Sequence, residues 1–314
     1  MEKAQHFIFV LVKGFSHLAF ACAVEPLRLA NWVSGKELYR WSFVSDNGES
    51  ATCSNGSVTL VQYGFNDTPK CDHLFVLSGN NMRGHATPSL LSMLRWQRAM
   101  GTQIGALCSG AYILAKAGFL DGMKAAIHWE FHDSFMEEFK KVNLVRNVFV
   151  SDEKHLTASG GTAASDLMLH LIEKDHGYNL AISVADQMVY NAVQEATADQ
   201  RVSLQSRNGM RSAHLVAALK IMSANLEYPI SPTEIAAQIG ISTRQLERHF
   251  GKFLNSSPKK YYMELRLEKA RKLLVQTELS VTSIAFACGF ENPGHFSKVY
   301  RIHFGTPPGK QRGL

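Results

Sequence analysis

Cysteine is scarce in this sequence and follows no pattern. Of 314 residues only five are cysteine, at positions 22, 53, 71, 108 and 288. The count is odd and no pair has CxxC spacing, which excludes a disulfide framework and a zinc-ribbon site and favours a reducing compartment. Neither a metal nor a cofactor is expected. Long apolar runs are also missing. The run from Phe7 to Val12 is too short for a signal-peptide core with its cleavage site, and reads as a buried first strand. The run from Ile104 to Ala115 is interrupted by Gly105, Ser109 and Gly110. Nothing approaches the ~20 apolar residues of a membrane span, so a cytoplasmic chain without a membrane partner is expected. Prolines number nine, and with 46% apolar and 19% charged residues the composition is globular, neither disordered nor collagen-like.

Net charge is small overall but unevenly placed. The formal value is +6. Residues 1–208 carry 18 Lys+Arg against 20 Asp+Glu, a net of −2, whereas residues 209–314 carry 15 against 7, a net of +8. Such asymmetry points to an anionic partner for the last third, nucleic acid or a membrane surface, or else to a solvated basic face.

Length suggests two domains. Through the first ~190 residues, candidate strands at 6–12, 40–45, 73–77, 103–107, 147–150 and 155–158 alternate with helical stretches at 18–31, 88–100, 110–117, 128–140 and 162–176. This alternation predicts an α/β domain with a mainly parallel sheet. A helix from 181 runs into the polar stretch ATADQRVSLQSRNG, so the expected division is a first domain at 1–190, a linker at 191–211 and a second domain at 212–314. After Arg211 the pattern is entirely helical. Leu215, Leu219, Met222 and Leu226 fall on one helix face, as do Met263, Leu267, Ala270 and Leu274.

The all-α region contains two similar units about 50 residues apart, Ser231–Leu254 and Ser280–Gly305. Each has a cap-like residue, a short helix containing Ile-Ala (235–236 and 284–285), a glycine (Gly240, Gly289), an apolar residue (Ile241, Phe290) and a second helix ending in a basic, aromatic stretch. That is helix-turn-helix physics: small residues permit close helix approach, and glycine supplies positive φ at the corner. The second helices present Ser242, Thr243, Arg244, Gln245 and Arg248 in one unit, and Asn292, His295, Lys298 and Arg301 in the other. Arg and Gln suit base edges; Lys and the remaining Arg suit phosphates.

These residues, with Pro258, Tyr261-Tyr262, Arg266-Leu267, Ala270-Arg271, Leu273-Leu274, His295-Phe296-Ser297-Lys298, Phe304-Gly305 and Pro307, resemble the DNA-binding domain of AraC/XylS-type transcription regulators. The resemblance implies a long helix at about 259–276 that sets two recognition helices one DNA turn apart, roughly 34 Å, on duplex DNA. Pro293 and Gly294 depart from the family's polar side chains, so the second unit is expected to lean on phosphate contacts.

In the first domain the sharpest feature is an apolar strand, 104–107, running into Cys108-Ser109-Gly110-Ala111 and then a helix. This is the arrangement of a nucleophile elbow, and a helix N-terminus there would lower the cysteine pKa. With Glu25-Pro26-Leu27-Arg28, Ser78-Gly79-Asn80 and Ser159-Gly160-Gly161-Thr162-Ala163, it resembles the PfpI/class I glutamine-amidotransferase-like superfamily, and the two halves together resemble the GlxA-type subfamily of AraC/XylS regulators. A flavodoxin-like α/β sensor is thereby implied.

A complete catalytic set is not visible. Ser109 stands where PfpI-type peptidases have histidine, no HxE pair occurs at a matching place, and the oxyanion loop reads Gly79-Asn80. The chain is therefore read as a non-enzyme; the alternative is a Cys108-dependent hydrolase or amidase joined to a DNA-binding domain. The same crevice suits a small effector, with Phe15, Glu25, Gly79, Asn80, Cys108, Ser109, His128 and Trp129 expected around it. Glu25 could meet a cation or hydrogen-bond to the thiol, backbone N–H groups near Cys108 could hold a carboxylate, and Trp129 could stack on a quaternary ammonium. Trp129 as plain core, and Cys108 as a merely structural or a redox-sensing residue, stay open beside these. The subfamily's association with arginine, glycine betaine and carnitine metabolism points to the same effector class, an amino acid, betaine or related nitrogen compound. The whole reading is a homodimeric, effector-controlled transcription activator that also meets RNA polymerase.

Overall fold

The structure, a computed structural model, describes residues 4–80, 82–152, 154–190 and 213–313. The chain divides into two compact units, 1–200 and 201–314. The expected linker at 191–211 lies outside the described residues.

The first unit is built on a six-stranded sheet. Its strands are β1 (Gln5–Leu11), β2 (Tyr39–Val44), β5 (His73–Ser78), β6 (Gln103–Cys108), β9 (Phe149–Ser151) and β10 (His155–Ala158), in the order β2-β1-β5-β6-β10-β9. All neighbours are parallel except β9, which runs antiparallel to β10. Both faces are covered, so β1 reads as a continuous apolar run rather than an alternating one. Phe7, Phe9 and Leu11 point into one core with helices α1 (His17–Ser34), α6 (Ala163–His176) and α7 (Tyr178–Gln187). Ile8, Val10 and Val12 point into the other, with α3 (Pro88–Ala99), α4 (Ala111–Lys116) and α5 (His132–Glu138). Phe75 stacks against Phe7 and Phe9 from the neighbouring strand, at 6.1 and 6.0 Å between centroids.

One local expectation is corrected. The stretch 128–140 is not one helix: a single 3₁₀ turn, Trp129–Phe131, precedes α5, and the chain leaves helical geometry at Phe139. The more apolar 147–150 segment supplies the antiparallel edge, while the more polar 155–158 segment lies inside the sheet with all four residues buried. Its Thr157 hydroxyl is satisfied there, accepting from the Ala126 N–H at 2.9 Å. Two short pairs carried no sequence signal: the hairpin β3 (Ser50–Thr52) with β4 (Val58–Leu60), and β7 (Lys124–Ala125) with β8 (Asn143–Leu144). The four-residue helix α2 (Met82–His85) was equally unmarked.

The second unit is all α: α8 (Ala213–Ala224), α9 (Pro232–Gln238), α10 (Thr243–Leu254), α11 (Pro258–Gln276), α12 (Val281–Ala287) and α13 (Pro293–Phe304). The corner glycines do adopt positive φ, +72° at Gly240 and +74° at Gly289. Two separate cores form. Leu215, Leu219, Met222, Ile235, Leu246, Phe250 and Tyr262 make one, and Leu267, Leu273, Leu274, Ile284, Phe290, Phe296 and Tyr300 the other. Helix α11 contributes to both. Among the described residues no helix is long and apolar enough to cross a membrane.

Basic side chains of α11 hold the second unit together from within. Arg266 donates through Nε to the Cys288 carbonyl at 2.8 Å and through a terminal nitrogen to the Gly289 carbonyl at 2.6 Å, and it lies 4.2 Å over the Phe290 ring. Lys269 donates to the Ala287 carbonyl at 2.9 Å. Both cap carbonyls left open at the end of α12, where cations are favoured. Arg266→Ala should therefore destabilise the second unit by about 2–3 kcal/mol, and Arg266→Lys should recover only part because it has no planar fork. All four tryptophans, at 32, 41, 96 and 129, lie in the first unit. Far-UV circular dichroism, rather than tryptophan fluorescence, should show the shifted urea transition.

Candidate functional site

The helix α10 buries Leu246 and Phe250 and turns the opposite face outward, leaving Arg244, Gln245 and Arg248 exposed and Thr243 half-buried. In α13, Phe296 and Tyr300 are buried while His295, Lys298 and Arg301 are exposed. The i, i+4 spacing of the buried residues anchors each helix and fixes which face is free.

Three of the expected DNA-facing residues already have local work. Ser242 is the N-cap of α10: its hydroxyl accepts from the Gln245 N–H at 3.3 Å, and the Gln245 side-chain oxygen accepts from the Ser242 N–H at 2.9 Å. That reciprocal capping box ties up the acceptor Gln245 would need for a bidentate contact with adenine. Asn292 caps α13, its Oδ1 accepting from the Gly294 and His295 N–H groups at 2.8 and 3.1 Å. Arg244, Arg248, Lys298 and Arg301 make no ion pair among the described residues and stay available to an anion. The cap role of Ser242 follows from an S-x-x-Q spacing that the sequence displays at 242–245.

The elbow of the first unit is formed as its sequence suggests. Cys108 ends β6, beside Ser78 of β5 in register, and has the left-handed φ of +60°. Glycines make this possible by close approach. A Cβ at Gly110 would lie 2.2 Å from the Val76 carbonyl oxygen, and one at Gly160 would lie 2.7 Å from the Cys108 Cβ. Gly160 also has φ +87°, which side chains rarely adopt.

The surroundings of Cys108 overturn the expectation of an activated thiolate. Burial pushes the thiol up to about 11, the Glu130 carboxylate adds to this, and the Ser109 N–H opposes it without prevailing. The net direction is away from thiolate, because burial disfavours the charged form. Sequence reading missed Glu130, which only folding brings within electrostatic range. Nor does Glu25 serve the thiol as expected. It lies half-exposed on α1 and accepts from Arg28 Nε at 2.7 Å.

The other expected pocket residues divide by burial. Phe15 is fully buried in the core and packs edge-on against Phe20 at 5.6 Å, so it supports the site from behind. Ser109 is also fully buried; its hydroxyl donates to the Gly79 carbonyl at 2.6 Å and ties the loop after β5 to the elbow. Asn80 is exposed, and His128 and Trp129 are half-buried with their rings 5.4 Å apart. The His128 N–H donates to the Cys108 carbonyl at 3.2 Å, so backbone holds this pair of aromatic rings at the elbow. A further lock is the Glu138 carboxylate, which accepts from Tyr112 at 2.7 Å and also from Arg83, joining α5, α4 and the segment after β5.

Two tests follow. Alkylation of Cys108 by iodoacetamide, followed by mass spectrometry, should be slow at neutral pH and climb until pH passes about 11; a plateau near pH 7 would show a thiolate instead. Gly160→Ala should cost about 3 kcal/mol or more by steric conflict with Cys108, read from tryptophan fluorescence in urea.

Comparison with known proteins places both halves. The DJ-1/PfpI family matches residues 7–174 and a helix-turn-helix domain family matches residues 235–313. The HTH-type transcriptional regulator GbdR of Pseudomonas aeruginosa is 40% identical over 304 residues, covering 97% of this chain and 83% of that protein. The HTH-type transcriptional regulator GlxA of Rhizobium meliloti is 35% identical, covering 99% and 96%. Among solved structures, an AraC family transcriptional regulator from Pseudomonas putida superposes with a TM-score of 0.53 at 26% identity, covering 59% of this chain and 99% of that one.

Proposed function

The chain belongs to the HTH-type transcriptional regulators that join a DJ-1/PfpI domain to an AraC-type helix-turn-helix domain, and from that membership we propose how it works. It is a DNA-binding transcription regulator. Arg244 with Thr243 reads base edges, while Arg248, Lys298 and Arg301 grip phosphates. Ser242, Gln245 and Asn292 set the pitch of the two recognition helices by capping them. The observation that carries this reading is the pair of helices α10 and α13, each with free basic side chains on its solvent face and each anchored to α11. A helix of 19 residues is about 28 Å long, close to the span between successive major grooves.

The first unit is an effector sensor rather than an enzyme. A thiol held protonated by burial is a poor nucleophile, which supports ligand binding over hydrolysis at the elbow. The ligand, an amino acid or betaine-like compound, meets Asn80, His128 and Trp129 beside Cys108 and competes with Arg28 for Glu25. Binding shifts DNA affinity only if the two states of the protein bind it unequally. The protein acts as a cytoplasmic homodimer and activates through RNA polymerase.

The expected outcomes are separable. Arg244→Ala should relax sequence preference, and Lys298→Ala should weaken binding to all sequences and lower the salt slope by about one. Equal loss on every sequence from Arg244→Ala would remove its base-reading role. Amino acids and betaines should change Trp129 fluorescence and raise the melting temperature of the first unit, with the response lost in His128→Ala. Turnover of an amide or ester abolished by Cys108→Ala would overturn the non-enzyme reading.

A further inference from the structure

A cavity of about 410 Å³ opens at the carboxyl ends of β1 and β2, and it shares no lining residue with the elbow set. Its apolar floor is the end of β1 together with Phe65, and its polar wall includes Lys13, Asp46 and His85. The volume is that of a small-molecule site.

Its place in the topology matters more than its size. The chain leaves β1 toward β2 on one side, whereas β5 lies on the other side of β1. The strand order therefore reverses at β1, and open parallel sheets bind ligands in the crevice outside such a switch point. Lys13 comes from the segment after β1 and His85 from the segment after β5, so the two flank that crevice.

Their chemistry is incomplete without a ligand. The Lys13 ammonium makes no hydrogen bond or ion pair among the described residues. The Nδ1 of His85 is buried with no hydrogen-bond partner. Burial and the charge of Lys13 hold His85 below its ordinary value, which leaves the imidazole neutral at neutral pH with one ring nitrogen as donor. Asp46 is exposed and does not pair with Lys13, so the cationic end of the cavity is not neutralised from within. An oxyanion would accept from the ammonium and from the Nε2–H of His85 together, the Nδ1 being closed off from the cavity.

We propose that this cavity is a second small-molecule site, separate from the elbow, which takes the carboxylate or phosphate group of a small metabolite on Lys13 and His85. The test is calorimetric titration of the full chain with inorganic phosphate and, separately, with succinate, in 150 mM salt (about 8 Å of Debye length, so that loose surface attraction is screened). At least one of the two anions should bind saturably; which one does so identifies the phosphate or the carboxylate source. Lys13→Ala and His85→Gln should each weaken that binding about tenfold or more, whereas Lys140→Ala, at an exposed surface lysine, should not. The melting curve of Lys13→Ala should match the parent, since Lys13 is exposed, so its loss of binding reads the site and not the fold. Failure of both anions to bind, or binding unchanged in Lys13→Ala, overturns the proposal. Binding lost in His128→Ala but kept in Lys13→Ala would put the anion at the elbow, and overturns it equally.

Discussion

Helix α11 is buried at one end in the core of the first helix-turn-helix unit and at the other end in the core of the second. Tyr262 belongs to the former, and Leu267, Leu273 and Leu274 to the latter. Neither unit has enough apolar surface to be a substantial domain alone, and sharing a rigid helix couples them. The same helix sends Arg266 and Lys269 to the carbonyls that end α12. The end of α12, from which the chain turns into α13, thus rests on hydrogen bonds from α11. Part of the basic charge of this domain, Arg266 and Lys269, is therefore engaged inside the fold.

The first unit poses an opposite problem, in which a tight strand-to-helix elbow holds a thiol that burial pushes upward. Close glycine contacts at Gly110 and Gly160 preserve the tight strand-to-helix turn, while desolvation at Cys108 outweighs the Ser109 N–H that favours thiolate. Geometry and reactivity separate because the first depends on steric room and the second on dielectric surroundings. A cavity at the carboxyl ends of β1 and β2 remains, and its wall carries Lys13 and His85.

Much of this was legible from residues alone. Apolar runs at 6–12, 73–77 and 103–107 match three central strands within a residue or two, because strands covered on both faces must be apolar throughout. The repeated Ile-Ala and corner glycine gave both helix-turn-helix units, because close helix approach and positive φ allow few residue types. The segment 155–158 was harder to place: a buried Thr157 looks polar until its partner, the Ala126 N–H, is known. Phe15 read as a pocket wall for the related reason that burial depth is not written in local sequence.

Sequence alone determined the two-part architecture, the parallel sheet, the DNA-binding class of the second unit and the location of the elbow, since each depends on short-range pattern and charge. Tertiary structure decided which polar side chains are free. Gln245 and Asn292 cap helices, Arg266 and Lys269 hold a neighbouring helix, Glu25 pairs with Arg28, and Cys108 stays protonated. The physical reason is common to all of them: hydrogen-bond partners and desolvation arise from groups brought together in space, and residue type records only what a side chain is able to do.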